Sequence, residues 1–287
     1  MTSVPAGGSA LVGATALRAE LESAAADAVP LLLDVRWTLA GPHHDEYLSG
    51  HLPGAVFCDL EADLSAPAGV RGRHPLPSAE AMTATMRRLG VAPARPVVVY
   101  DGGPSLAASR AWWCLRWAGH DDTRLLDGGL PAWVEAGGVL ERGDVTPVPA
   151  PDAAARVGAM PVATLDEVAS GEVGVLVDVR TPERFRGEVE PVDPVAGHIP
   201  GAVSCPGGAL FGPDGRLRPP AELRAVLAPL LSDPAAGTRG VTSYCGSGVT
   251  ATQLVLALHE VGVTGRLYPG SWSEWVAGSA RPVATGP

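Results

Sequence analysis

Short runs of consecutive apolar residues recur along this chain, and stretches with apolar side chains at every third or fourth position follow two of them. Leu31-Leu32-Leu33, Val97-Val98-Val99 and Val175-Leu176-Val177 are runs of the first kind, and Val241-Thr242-Ser243-Tyr244 reads as a strand of the same buried type. Unbroken apolar runs of this length predict strands covered on both faces, as in parallel sheets. The second kind is seen in Ala108, Ala111, Trp112 and Leu115, which end at Gly119. Ala251, Leu254, Val255, Leu258 and Val261 repeat the pattern and end at Gly262. Both stretches predict amphipathic helices stopped by glycine. Buried strands alternating with helices predict an α/β fold.

The pattern is written twice. Leu31-Leu32-Leu33-Asp34-Val35-Arg36 matches Val175-Leu176-Val177-Asp178-Val179-Arg180, and His51-Leu52-Pro53-Gly54-Ala55 matches His198-Ile199-Pro200-Gly201-Ala202. Val97 through Asp101 matches Val241 through Cys245. Leu125 through Gly128, with Trp133, matches Leu267 through Gly270, with Trp275. Asp34 to Asp101 and Asp178 to Cys245 each span 67 positions, a spacing that argues for duplication. A proline-rich connector, Val145-Thr146-Pro147-Val148-Pro149-Ala150-Pro151, separates the copies. The expected organisation is a first domain at 1–144, a linker at 145–160 and a second domain at 161–287.

Composition then removes several functions. The net charge of −10 argues against nucleic acid or an anionic membrane as partner. No apolar stretch approaches the roughly 20 residues of a membrane span. The N-terminus lacks a basic flank ahead of an apolar run, so a cytoplasmic location is expected. All 21 basic residues are arginine, which excludes lysine chemistry and leaves any cationic role to guanidinium groups. Cys58, Cys114, Cys205 and Cys245 are widely spaced without a CxxC, and His43-His44 lacks further ligand spacing. Neither a disulfide framework, a metal site nor a cofactor is expected.

The candidate chemistry lies where the copies differ. Cys245-Gly246-Ser247-Gly248-Val249-Thr250 joins a predicted strand to a predicted helix, the place where open α/β sheets put their reactive groups. Loop N–H groups and the helix N-terminus favour an anionic sulfur there. The first copy has Asp101-Gly102-Gly103-Pro104-Ser105 at that place, and a carboxylate cannot act as a sulfur nucleophile. The first domain is therefore expected to be inactive and to cover the site of the second. Phosphatase chemistry needs an arginine six positions after the cysteine, where this chain has Ala251. A dithiol redox role lacks its second cysteine, and a cysteine protease lacks a paired histidine, since His259 lies far along the helix. Sulfur transfer through a persulfide fits the residues that remain.

The active loop, the paired His-[Leu/Ile]-Pro-Gly-Ala segments and the Asp-Val-Arg strands resemble the two-domain sulfurtransferases of the rhodanese family over nearly the full length. The resemblance implies tandem rhodanese-like domains, each a parallel sheet with helices on both faces. The uncharged loop is similar to that of the 3-mercaptopyruvate enzymes, with thiosulfate as the alternative donor. It implies a small-molecule sulfur donor. It also implies an acceptor that is cyanide or a thiol, such as thioredoxin or a low-molecular-weight thiol. A non-catalytic persulfide carrier is the reading from another class. Carried over by residue, Cys245 is the nucleophile, with Ser247 and His74 as its catalytic companions. Asp59 or Glu61 is the supporting carboxylate, and Arg184 grips the donor carboxylate. Gly246, Gly248, Val249 and Thr250 form the binding loop. The family's second arginine is missing after Glu190-Pro191, and Arg186 is the expected substitute. His51, His198, Asp34-Arg36 and Asp178-Arg180 occur in both copies, so they read as structural.

Overall fold

The computed structural model describes residues 8–25, 28–278 and 281–287. The first half carries β1 (Leu11–Val12), β2 (Leu31–Asp34), β3 (Trp37–Thr38), β4 (Gly41–Pro42), β5 (Val56–Phe57), β6 (Val97–Tyr100) and β7 (Thr123–Leu126). The second carries β8 (Val175–Asp178), β9 (Val203–Ser204), β10 (Val241–Tyr244) and β11 (Gly265–Leu267). Two sheets run parallel throughout, in the orders β1-β7-β6-β2-β5 and β11-β10-β8-β9, and β3 and β4 form a small antiparallel hairpin. Without β1 the two orders are the same. Val162, bridged in parallel to Leu267, takes the place of β1 in the second sheet. Each half is thus a parallel α/β layer, as the apolar runs predict.

The duplicated polar residues fasten matching corners. Arg36 Nε lies 3.0 Å from Asp34 Oδ1 and Nη2 donates to the Gly50 carbonyl at 2.7 Å. Arg180 Nε lies 3.0 Å from Asp178 Oδ1 and Nη2 donates to the Gly197 carbonyl at 2.6 Å. Imidazole Nδ1 of His51 meets the Tyr47 carbonyl at 3.0 Å, and that of His198 meets the Phe185 carbonyl at 2.7 Å. These groups are buried, and their hydrogen bonds offset the cost of removing them from water.

The helices after the two reactive-position loops, Leu106–Trp117 and Ala251–Glu260, pack against each other across the seam. Trp112 meets His259 edge-on there, with ring centroids 5.6 Å apart. The sequence predicts amphipathic helices, yet both are buried on almost every face. Each has a sheet on one side and its counterpart on the other, so no face is left for solvent. One apolar core therefore holds side chains of both halves, among them Leu33, Val99, Trp112, Val177 and Leu254. The outer faces have separate clusters, one containing Trp133 and the other Trp272 and Trp275.

Residues 145–160 contain no helix or strand and lie along the first half. Ala150 N–H donates to the Arg87 carbonyl at 2.8 Å, and Arg156 N–H to that of Ala118 at 2.7 Å. Among the described residues, no helix is long and apolar enough to cross a membrane.

Candidate active site

Cys245 follows the last residue of β10, and its backbone is clamped before its side chain is considered. The carbonyls of Cys245 and Gly246 accept the N–H groups of Trp272 and Ser273, each at 2.9 Å. The Gly248 carbonyl accepts Nη1 of Arg110 at 3.1 Å. In a planar trans peptide, N–H points opposite to C=O. Holding these three carbonyls therefore turns the N–H groups of Gly246, Ser247 and Val249 away from the groups that hold them. Among the described residues those three N–H groups meet no protein acceptor. Glycine is required at 248, where φ is +79° and a side-chain carbon would collide with the Pro269 carbonyl.

Cys245 is only 2% exposed, yet it lines a cavity of about 950 Å³ together with Gly246, Ser247, Val249 and Thr250. Gly248 N–H donates to Cys245 Sγ at 3.1 Å. One amide of the expected nest reaches the sulfur itself; the others present themselves to the cavity beside it. Cys245 N–H is held at 3.1 Å by Ser271 Oγ, in a residue that adopts a left-handed backbone (φ 53°). Gly103, Pro104 and Leu106 of the first half form part of the same wall, so the loop that lacks a thiol does cover the one that has it.

Ser247 Oγ and His74 Nδ1 share a hydrogen bond of 2.8 Å that joins the two halves. Burial, followed by the nearby Arg110 charge, lowers the His74 pKa to about 4 against an opposing pull from Glu61, with a lesser push from Arg73. The imidazole is therefore neutral at physiological pH. Its Nε2 faces Glu61 Oε1 at 3.9 Å, and Trp37 Nε1 donates to that same oxygen at 3.0 Å. The carboxylate beside His74 is thus Glu61. Asp59 is occupied elsewhere: its Oδ1 caps the helix Leu60–Asp63 by accepting the N–H groups of Glu61 and Ala62 at 2.8 and 3.1 Å.

Arg184 lies on the cavity wall, with Nε and Nη2 forked onto Glu190 at 3.1 and 2.6 Å. Burial opposes ionisation of Glu190, but the Arg184 fork and the backbone N–H groups of Asp193 and Val192 outweigh it and hold the carboxyl below its ordinary range. Arg186 is not part of the site. It sits two positions along the same short helix, points to the surface and pairs with Glu188 at 2.7 Å. Two residues on a helix are separated by about 200° of rotation, so only one of these arginines can face the cavity. Reasoning from the sequence missed Arg73, which lines the cavity and pairs with Asp193, and Arg110, which grips the loop from the other half. The adjacency of Arg73 to His74 was the available signal for the first. Nothing local marks the second.

At the matching place in the first half, Asp101 fills its own loop. Its carboxylate accepts the N–H groups of Gly103, Ser105, Ala107 and Ala108 at 2.7 to 3.1 Å. Cys58, Cys114 and Cys205 are buried, and burial raises the pKa of each, which marks them as packing residues. Among the described residues no group of three or more His, Cys, Asp or Glu side chains could hold a metal ion.

The rhodanese-like domain profile matches twice, over residues 14–136 and 162–278. The chain belongs to the rhodanese family. It is similar to a Mycobacterium tuberculosis protein provisionally named thiosulfate sulfurtransferase SseB, at 48% identity over 270 residues, covering 89% of this chain and 90% of that one. A Pseudomonas aeruginosa protein provisionally named 3-mercaptopyruvate sulfurtransferase is 46% identical over 268 residues, covering 89% and 92%. Among solved structures, the Escherichia coli 3-mercaptopyruvate sulfurtransferase SseA superposes with a TM-score of 0.78 at 32% identity, covering 92% of this chain and 99% of that one. This rhodanese-family chain is a sulfurtransferase in tandem form.

Proposed function

We propose that the chain transfers a sulfur atom from 3-mercaptopyruvate to a thiol or to cyanide, through a persulfide on Cys245. One observation carries the reading: Cys245 lines a large cavity beside loop amides that meet no protein acceptor among the described residues and beside the Ser247–His74 pair. The Cys245 thiolate attacks the donor's thiol sulfur. The carbon–sulfur bond breaks, and its electron pair passes into the enolate of pyruvate. The sulfur stays on Cys245 as a persulfide, whose proton is available to the enolate carbon. Ser247, fixed by neutral His74, donates to the donor's carbonyl oxygen as charge builds there. Arg184 keeps Nη1 for the donor's carboxylate while Glu190 holds its other nitrogens. The loop N–H groups stabilise the persulfide anion. A thiolate or cyanide then attacks the outer sulfur and releases the Cys245 thiolate, closing a ping-pong cycle.

The name of the M. tuberculosis relative favours a second donor. With thiosulfate, the sulfur–sulfur bond breaks and sulfite departs with the electron pair. Against this, the loop carries no charged side chain to hold a dianion. Incubation with each donor, followed by mass spectrometry, tests both readings. One added sulfur on Cys245 is expected, faster from 3-mercaptopyruvate, and none on the Cys245→Ser variant. An unmodified Cys245 in folded wild-type protein with either donor overturns persulfide transfer. Faster loading from thiosulfate reverses the donor preference.

A further inference from the structure

The cavity that Cys245 lines has room for more than the donor. At about 950 Å³ it stands at the upper end of the range that encloses drug-sized molecules, about 300 to 1,000 Å³. Its charge is confined to one end. Arg73, Arg180 and Arg184 are tied together there by Glu190 and Asp193. A side-chain carbon on Gly246, at the start of the loop, would stand 2.8 Å from Arg73 Nη2. The far end of the loop meets a different wall. A side-chain carbon on Gly207 would stand 3.3 Å from Thr250 Cγ2, and one on Gly215 would stand 4.0 Å from Pro104 Cβ. Among the described residues, no side chain that segments 103–106, 206–215 and 249–253 contribute to the cavity wall is charged, and Leu106 and Phe211 are its bulkiest apolar members.

One side-chain amide stands in that wall. Gln253, on the helix Ala251–Glu260, is only 3% exposed, and its Nε2 donates to the Pro104 carbonyl of the other half at 2.9 Å. A carbonyl can only accept, so this contact fixes the nitrogen end of the amide and leaves Oε1 as the free end. Among the described residues Oε1 accepts no hydrogen bond, and it is not sealed in the interior. A side-chain carbon on Gly207 would stand 2.7 Å from it, so glycine there keeps the oxygen uncovered. An unmet amide oxygen in an apolar wall favours a ligand that brings an N–H or O–H to it. Resting on the persulfide reading above, we propose that this uncharged end is the acceptor subsite and that Gln253 is its specificity-determining residue. The acceptor class is a low-molecular-weight thiol with an uncharged, partly apolar body that packs on Leu106 and Phe211 and donates one hydrogen bond to Gln253 Oε1. Its thiol gives its proton to the outer sulfur of the Cys245 persulfide and attacks that sulfur as a thiolate. The bond to Cys245 breaks, the electron pair stays on Cys245, and the acceptor leaves as a persulfide.

The test uses protein already loaded with sulfur on Cys245 and freed of donor. Two acceptors of one shape are compared, N-propyl-2-mercaptoacetamide and propyl mercaptoacetate, an ester that lacks the N–H. Sulfur remaining on Cys245 is followed by quenched mass spectrometry. For wild type the half-saturating concentration should be about 10-fold lower for the amide. Gln253→Leu should erase that difference while leaving the rate with cyanide within about twofold. Equal half-saturation of wild type by both thiols overturns the proposal. So does an equal loss toward both thiols and cyanide in the variant, which would make Gln253 a structural tie between the halves. A steady-state readout needs no variant: pyruvate as inhibitor at varied amide thiol, with 3-mercaptopyruvate as donor. Separate ends give noncompetitive inhibition against the acceptor, and competitive inhibition would place both in one subsite and overturn the proposal. A wild type that takes up no sulfur removes the persulfide reading instead, and that result is read before any acceptor is added.

Discussion

The loops after β6 and β10 begin from one backbone plan and end with opposite uses. In both, a helix N–H behind the loop holds the carbonyl of the key residue: Leu130 holds Asp101, and Trp272 holds Cys245, each at 2.9 Å. In both, a long buried helix follows. The difference lies in one side chain. Asp101 bends back and consumes four loop N–H groups, so its loop is complete without a ligand. Cys245 consumes one, and its neighbours stay turned toward the cavity. A carboxylate in an amide nest is a stable internal anion, whereas a sulfur in the same nest leaves donors for an incoming one. The first half therefore differs from the second by a filled loop as well as by a missing thiol.

Exchanges at the two positions should have opposite consequences, and these are the largest effects expected. Cys245→Ser should reduce turnover to background with little change in melting temperature. Asp101→Ala should leave Cys245 competent to accept sulfur, while stranding four N–H groups, three of them buried, at a cost of about 3 kcal/mol. Activity assays and denaturant melts of the two variants check this contrast. A marginal stability loss in Asp101→Ala would show that the four bonds do not close the loop.

Arg110 sharpens the comparison, because the half without the thiol uses it to hold the Cys245 loop of the other. It is 0% exposed and donates to the carbonyls of Gly248, Leu64 and His74, each at 3.1 Å. Arg110→Met should let the 248–249 peptide turn and misplace the Val249 N–H. A loss in kcat of about 10- to 100-fold is expected, with a smaller change in KM. Steady-state kinetics with 3-mercaptopyruvate give the split, and an unchanged kcat in folded protein would make the contact purely structural.

The smallest effect concerns His74. Its pKa falls from 6.5 to about 4 on folding, so between those values the unfolded chain holds a proton that the folded chain lacks. This contribution to stability is complete above pH 6.5 and is lost as pH falls toward 4. A nuclear magnetic resonance titration should place the His74 midpoint near about 4. The stability gap between wild type and His74→Gln should shrink over the same window. A midpoint near 6.5 would mean that burial and the Arg110 charge do not act on the ring as this packing requires.

Much of this was legible in the residues, and the limits have physical causes. The apolar runs carry the parallel α/β class and the 67-residue spacing carries the duplication, because covered parallel strands must be apolar on both faces. The Cys245 loop is legible because its chemistry is local. The choice between Asp59 and Glu61 is not, because it depends on which carboxylate the start of the helix Leu60–Asp63 uses as its cap. Arg186 follows Arg184 so closely that only the helical rotation tells them apart. Arg73 acquires its position from Asp193, 120 residues away, and Arg110 from Gly248, 138 residues away. Partners at such separations leave no mark on spacing.

The Arg110 side chain has a consequence beyond the loop it steadies. Among the described residues it forms no ion pair with any acid; carbonyls alone satisfy it, and its Nε finds no acceptor. A guanidinium in that state is kept from water at a cost that the packed seam must offset, and water would reclaim it as soon as the halves parted. The seam is then more than a boundary between an ancestral copy and its descendant. Parting the halves would hydrate that cation, release the reactive loop and separate His74 from Ser247 in one event, so the fused pair acts as a single catalytic body.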